Sequence, residues 1–304
     1  MDICRVKGML EHLDTSRTES ISLFFIQKKK KGYTNHVAII KEDVRKAIRN
    51  VYLEFLSKPS ANLEQIAYNP IGAVDGKLEV SDLETANMRD ILKKIECEEN
   101  KNYDFKEMDI NKINFYCIKV RFDEEEFYFF RKFNKLKKLT NGVQGYLNGN
   151  SFVKVDQKTI GIDDQVDILI YNNEAAIFTR FALQTMFDLN DYFVERTKVA
   201  MQMLKNSNQI INFEQFEDDC LSDKTAIKRL TKIVNTPDLI TNFIDNISNL
   251  PMVITEADLS IELDSNGMID YRGSREERNH ILSCIADRYY ISLLCKEVRE
   301  DELR

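Results

Sequence analysis

Apolar positions along the chain switch period in a recurring order, with two-residue alternation first and recurrence at three- and four-residue steps after it. The clearest instance spans residues 166–205. In VDILIY, Val166, Ile168 and Ile170 alternate with Asp167, Leu169 and Tyr171. Asn172, Asn173 and Glu174 carry turn chemistry, and Ala175 to Thr179 begins a second apolar run, so the pattern predicts a hairpin. From there Phe181, Leu183, Met186, Phe187, Leu189, Phe193, Val194, Val199, Met201 and Leu204 recur with helical spacing. They predict a helix broken once near Asn190, whose side chain can cap the second piece.

The same order opens the chain. After a short helical lead from Val6 to Leu13, Ser20 to Gln27 and His36 to Ile40 flank a turn of Lys28, Lys29, Lys30, Lys31 and Gly32. A helix from Glu42 to Leu56 follows, and Pro59 ends it. Asn69-Pro70, Gly72 and Asp75-Gly76 break residues 63–81 into short extended pieces. A helix is expected from Asp82 to Glu96, and the charged, aperiodic stretch from Glu96 to Asp109 is the best linker candidate. Ile113 to Phe122 and Glu126 to Phe133 read as another hairpin, with short strands at Val143 to Leu147 and Ser151 to Val155. Beyond residue 205, helices are expected at Phe213–Cys220, Asp223–Val234 and Pro237–Ile247. A capping box of Ser274 and Glu277 opens one more helix to Ile285, and Tyr289 to Leu294 closes as a strand. Strands fill the centre and helices the ends. The expectation is an α+β fold, with a central, largely antiparallel sheet built from hairpins, packing helices and a more helical C-terminal part. Residues 1–110 and 111–304 read as two regions, which also fit one continuous domain.

Composition narrows the chemistry. A chain of 304 residues with 43% hydrophobic content has ample material for a core. No run of eighteen apolar residues and no leader-like N-terminus is present, which places the protein in the cytoplasm as an expectation. Cys4, Cys97, Cys117, Cys220, Cys284 and Cys295 are scattered and lack metal-ligand spacing, so they read as reduced thiols serving as small hydrophobes. Only His12, His36 and His280 are available, and no glycine-rich phosphate loop occurs. No cofactor and no metal are expected. Asp167 on a strand before a hairpin resembles the start of a nuclease carboxylate pattern. The second strand, AAIFTR, lacks the Glu-x-Lys that would complete a Mg²⁺ site, and Asp163 and Asp164 read as solvated turn residues.

Charge distribution is more informative than the net value of -7. Residues 111–155 hold 9 Lys+Arg against 4 Asp+Glu, whereas residues 156–304 hold 16 against 27. Arg131, Lys132, Lys135, Lys137 and Lys138 crowd into RKFNKLKKLT, and Lys28, Lys29, Lys30 and Lys31 occupy a hairpin tip. Such residues suit contact with a phosphate backbone, where each neutralised phosphate releases counterions. The plainer alternative is an edge strand guarded by lysines against aggregation. The aromatic run Phe127 to Phe130 reads as core, since a strand must bury at least one face.

Several stretches together resemble the KwaB-like family of the Kiwa anti-phage defence system. They are INKINFYCIKVRF with the hairpin EFYFFRKF, then DDQVDILIYNNEAAIFTRFALQTMFDLNDYFVERTKVAMQML, then MIDYRGSREERNHILSCIADRYYISLL, with SLFFIQKKKKGYTNHVAII resembling the family's opening. The resemblance implies a bacterial cytoplasmic protein that binds DNA and works with a membrane-embedded KwaA-like partner to restrain phage replication and late transcription. It also implies a homodimer or larger homo-oligomer, held at the inner face of the membrane through its partner. DNA binding without cleavage, through Arg131, Lys132, Lys135, Lys137 and Lys138 with Lys28 to Lys31 assisting, is the leading expectation. A divergent metal nuclease using Asp167 and a protein-interaction module without nucleic acid are the alternatives.

Overall fold

The structure is a computed structural model that describes residues 1–30, 32–83, 88–98, 112–133, 145–148, 151–154, 160–187, 189–292 and 294–301. It is α+β, as the patterning predicts. The chain divides into two compact units, one of residues 1–67 with 76–187 and the other of residues 68–75 with 188–304.

The first unit is built on an eight-stranded sheet. Its strands are β1 (Ile21–Lys28), β2 (Tyr33–Ala38), β3 (Glu64–Ala67), β4 (Lys77–Asp82), β5 (Phe115–Phe122), β6 (Glu125–Lys132), then β9 (Ile168–Tyr171) and β10 (Glu174–Ile177). They lie in the order β2-β1-β5-β6-β9-β10-β4-β3, and every pairing is antiparallel except β3 with β4. A separate hairpin joins β7 (Gly145–Asn148) to β8 (Ser151–Lys154). Strands on either side of residue 110 share the large sheet, because β1 pairs with β5 over its length. The three hairpins that period and turn chemistry predict are present in this sheet, with β2 running Tyr33–Ala38 where His36 to Ile40 was expected.

Both faces of this sheet are covered. On one face α1 (Ile3–Glu11) and α2 (Glu42–Ser57) bury Val6, Leu10, Ile48, Tyr52 and Leu56 against Leu23, Phe25, Tyr116, Ile118, Phe127, Phe129 and Leu169. The Tyr52 and Phe129 rings lie 4.5 Å apart. On the other face α3 (Met88–Glu98) packs beside β2, and α4 (Arg180–Met186) beside β6. Cover on two sides explains why β9, Phe127 to Phe130 of β6 and Phe115 to Ile118 of β5 are continuously apolar instead of alternating, and why Lys119 of β5 is buried against Glu126. Phe127, Tyr128, Phe129 and Phe130 are all buried, two on each face.

The expected helical break lies at Phe187, three residues before Asn190. Phe187 leaves the helical path with extended backbone and carries its ring to 5.7 Å from Phe130 and 6.3 Å from Phe115. The Phe187 ring is drawn into the core at this break, and Asn190, the residue expected to cap the second piece, lies inside the next helix.

The second unit is mainly helical: α5 (Leu189–Ser207), α6 (Phe213–Ser222), α7 (Lys224–Asn235), α8 (Leu239–Asp245), α9 (Leu250–Glu256) and α10 (Arg275–Ile285). They enclose a core of Met201, Leu204, Phe216, Leu230, Ile233, Ile240, Ile281 and Leu282. A short parallel pair of β11 (Ile210–Ile211) and β12 (Ile269–Asp270), and a hairpin of β13 (Tyr289–Ile291) and β14 (Val298–Glu300), complete it. Ser274 caps α10 by accepting from the Glu277 amide at 3.0 Å. Glu277 reaches back to the Arg272 amide at 3.0 Å, two residues before the expected capping-box partner. Pro237 precedes α8, while Pro251 takes a first-turn position in α9, a helix that the apolar spacing left unmarked.

Phe129→Ala is expected to destabilise the protein by about 3–5 kcal/mol, because it removes a fully buried ring from a double-covered sheet. Ile39→Ala, at a position 84% exposed, should change stability by no more than about 0.5 kcal/mol. Urea unfolding of the two variants measures the contrast.

Candidate nucleic-acid interface

The two basic stretches identified in the sequence meet at one end of the large sheet. Register dictates this: Ile26 of β1 pairs with Phe115 of β5, and Phe115 pairs with Lys132 of β6, so Lys28 and Lys132 both finish at that end. Asn114 ties the three strand ends together. Its amide donates to the Ile26 carbonyl at 2.9 Å, its carbonyl accepts from the Phe133 amide at 2.9 Å, and its side-chain oxygen accepts from the Lys28 amide at 2.7 Å.

Around this clamp the cations are arranged by neighbouring helices. The Lys29 amide donates to the Gly32 carbonyl, closing the hairpin turn, and Gly32 has a φ of +78° that suits glycine. Lys94 of α3 donates to the Tyr33 carbonyl at 3.2 Å, beside the same turn. Lys28 reaches the Thr185 carbonyl of α4 at 3.4 Å, and the Lys132 ammonium sits 4.3 Å from the centre of the exposed Phe181 ring. Lys29 and Lys30 are exposed and form no ion pair among the described residues. Lys31, Lys135, Lys137 and Lys138 lie outside the described residues.

Arg131 points the other way. Its guanidinium donates to Asp163 through Nε at 3.0 Å and Nη2 at 2.8 Å, and to Asp167 through Nη1 at 2.9 Å. Burial pulls its pKa down, but the hydrogen bonds and charges of the two carboxylates outweigh burial and hold it above the ordinary value. Arg131 therefore works inside the fold, opposite to the outward role expected for it. Asp163 and Asp164 are likewise ion-paired instead of merely solvated, the second with Lys58 at 2.7 Å.

Asp167 is 1% exposed, and both of its carboxylate oxygens are occupied: Oδ1 accepts from Arg131, and Oδ2 from the Lys132 amide at 2.7 Å. Among the described residues no group of three or more His, Cys, Asp or Glu is placed to hold a metal ion. Of the cysteines, Cys117 and Cys220 are buried as expected for small hydrophobes, while Cys4, Cys97 and Cys295 are exposed.

The opposite end of the sheet carries the acidic turn between β5 and β6, and there the charges are matched. Glu125 pairs with Arg5 at 2.5 Å and accepts from the Tyr171 hydroxyl. Glu126 pairs with the buried Lys119 at 2.9 Å, and accepts from Arg121 Nε at 2.8 Å and the Tyr128 hydroxyl at 2.9 Å. Burial pushes the Glu126 carboxyl up, yet these donors hold it below the usual carboxylate range. The sheet is thus electrically polarised, with neutralised carboxylates at one end and lysines at the other. Lysine runs were legible in the sequence, whereas the contributions of Asn114, Lys94 and Phe181 depend on long-range pairing and had no local signal.

The family model described as Kiwa protein KwaB-like matches residues 110–295, more than half of the chain, starting immediately before β5. No curated protein and no solved structure matches the chain.

Removing the Asp167 carboxylate takes away one of the two carboxylates that hold Arg131, Asp163 remaining, and leaves the Lys132 amide without its acceptor. Asp167→Ala is expected to cost about 1–3 kcal/mol. In the double variant with Arg131→Met, the loss should fall short of the sum of the single losses by about 1 kcal/mol or more. A double-mutant cycle by chemical denaturation checks this, and simple additivity would refute the coupling.

Proposed function

This chain belongs to the Kiwa KwaB-like family, and on that premise we propose that it binds DNA without cutting it, through the lysine-rich end of its large sheet. Family membership makes it a component of Kiwa anti-phage defence and a partner of a KwaA-like protein in that system. The observation that carries the DNA-binding reading is the convergence of Lys28, Lys29 and Lys30 with Lys132 on one sheet end. Nearby carboxylates Asp163 and Asp167 are occupied by Arg131 and so compete less for those lysines.

Phosphate contact is the chemistry such a surface suits. Lysine ammonium groups are flexible point charges, good at neutralising a backbone and poor at reading base edges, so binding should be insensitive to sequence and strongly dependent on salt. The chain's net charge of -7 requires the contact to be local, with the rest of the surface facing away from the duplex. Non-cleaving binding is supported by the commitment of both Asp167 oxygens to protein donors and by a second strand without an acid or a lysine. DNA held in this way blocks phage replication and late transcription by occupancy. No helix among the described residues is long and apolar enough to cross a membrane. Attachment to the inner face of the membrane is accordingly assigned to the KwaA-like partner, with the protein acting as a homodimer or larger homo-oligomer.

The test compares two charge-reversed variants with the parent chain. One carries Lys28→Glu, Lys29→Glu and Lys30→Glu, and the other Lys132→Glu, Lys135→Glu, Lys137→Glu and Lys138→Glu. A control carries Lys205→Glu and Lys224→Glu on exposed positions of the helical unit. Each basic-end variant should lose at least about tenfold in duplex affinity, and the slope of log affinity against log salt should shrink by about 0.9 for each phosphate contact removed. Unchanged affinity and slope would sink the site assignment. Plasmid incubated with the parent protein and Mg²⁺ or Mn²⁺ should stay intact. Cleavage that Asp167→Asn abolishes would replace this reading with a nuclease, and absence of any DNA binding by the parent would favour a protein-interaction module.

A further inference from the structure

A side chain with no polar group stands among the lysines at the basic end of the sheet. Phe181 is 63% exposed, and among the described side chains of the sheet unit no other aromatic ring is open to solvent to that degree. A lone exposed apolar residue needs no explanation. This one is marked by what holds it and by what stands against it. Arg180 before it turns its guanidinium to the buried Glu79 at 3.3 Å, and Ala182 and Leu183 after it are buried together with Met186. Thr185 Oγ1 donates to the Phe181 carbonyl at 3.0 Å, closing the turn that carries the ring. The ring is therefore presented outward by backbone that is anchored on both sides.

The Lys132 ammonium lies over this ring, 4.3 Å from its centre, and Lys28 reaches the Thr185 carbonyl one turn further along the same helix. The two groups that a nucleotide calls for are thus adjacent. An ammonium suits its phosphate, and an aromatic face suits its base, since stacking on a ring contributes affinity whichever base is present. An apolar side chain from a protein partner would cover the ring only by drawing that ammonium out of water without giving it an anion, which is costly. A closed duplex meets half of the requirement. Its phosphates are available, but its base faces are stacked on one another and only their edges line the grooves. The ring can be used only where bases are unpaired.

We propose that Phe181 is a stacking platform for an unpaired base, with Lys132 holding the adjoining phosphate, so that this end of the sheet takes single-stranded or locally opened DNA as a ligand. This role presupposes the DNA-binding reading and adds to it the form of DNA that is held. Intact duplex is bound through its phosphates alone. An opened strand is bound through its phosphates and one stacked base, and so more tightly than its charge by itself provides.

The experiment titrates the full chain, Phe181→Leu and Phe181→Trp with three labelled DNAs: a strand of thymidines, a strand of the same length that is abasic throughout, and a duplex. The two single strands carry the same phosphates and differ only in their bases. The parent should bind the thymidine strand at least about fivefold more tightly than the abasic one. Phe181→Leu should lose that difference while its duplex affinity stays within about twofold of the parent's, because phosphate contacts are untouched. Phe181→Trp should keep the difference. The chain contains no tryptophan, so the introduced indole is the sole one, and the thymidine strand should quench its fluorescence where the abasic strand does not. Both substitutions fall at an exposed position and should leave the unfolding midpoint unchanged. Equal affinity of the parent for the two single strands, with duplex still bound, overturns the stacking role and leaves the duplex reading standing. Failure of the parent to bind any of the three DNAs overturns both. Undiminished discrimination in Phe181→Leu assigns stacking to another residue and overturns the role given to Phe181. A changed sedimentation of Phe181→Leu with unchanged strand binding assigns the ring to a contact between copies of the chain and overturns it as well.

Discussion

Asp167 holds together three strand ends that would otherwise splay. Its amide donates to Phe130 on β6, its carbonyl accepts from Phe178 and Thr179 where β10 leaves the sheet, and its carboxylate takes Arg131 and the Lys132 amide. A carboxylate buried to this degree is tolerable only with full hydrogen bonding and a cation at hand. Both conditions are met by residues of one neighbouring strand. That arrangement fixes the end of β6, and with it the point at which Lys132 emerges and the start of α4 after Thr179. Removing the charge would cost more than removing one hydrogen bond, because it would leave the Lys132 amide without an acceptor and Arg131 with Asp163 as its remaining carboxylate.

The sheet tolerates this polar knot because both of its faces are closed by helices. Closing both faces demands apolar side chains at consecutive positions, and β5, β6 and β9 supply them. It also leaves the two strand ends as the places where the central strands can be polar. At one end the carboxylates of Glu125 and Glu126 are matched by Arg5, Arg121 and Lys119. At the other, Asn114 satisfies the backbone and lysines meet solvent. The electrical polarity of the unit follows from its topology, since antiparallel hairpins bring the acidic β5–β6 turn to one end and the lysine-rich β1–β2 turn to the other.

Much of this architecture was legible in the chain. Hairpins announced themselves by period and turn residues, and α2, α7 and α10 by apolar spacing with a capping residue at the last two. What remained hidden had physical causes. Phe187 leaves its helix where Phe115 and Phe130, distant in sequence, meet its ring. Ile210 and Ile211 form a two-residue strand too short for any period to show, and α9 is a seven-residue helix whose apolar residues Leu250, Met252, Val253 and Ile254 are nearly contiguous and declare no single face. Asp167 was visible as an acid before a hairpin, but its partner is set by β6 pairing with β9, a contact that no local pattern encodes. For the same reason Arg131 could not be separated from Lys132 in sequence, although the two point to opposite faces.

That separation bears on how a phosphate backbone would be met in the proposed complex. Arginine is the better residue for a planar, bidentate pairing with carboxylates, and lysine the more readily hydrated point charge. In RKF the arginine turns to the α2 face and consolidates the fold, while the lysine next to it turns to α4 and stays accessible. Lys132 is further restrained by its backbone bond to Asp167 and by the Phe181 ring below its ammonium group, so less rotamer freedom remains to be lost on binding. A lysine held this way offers a phosphate a prepositioned charge, whereas Lys29 and Lys30 on the exposed turn must be ordered first. The rigid end of the sheet should therefore contribute more to affinity per charge, and the hairpin tip more to the rate of encounter, where long-range attraction matters and fixed geometry does not.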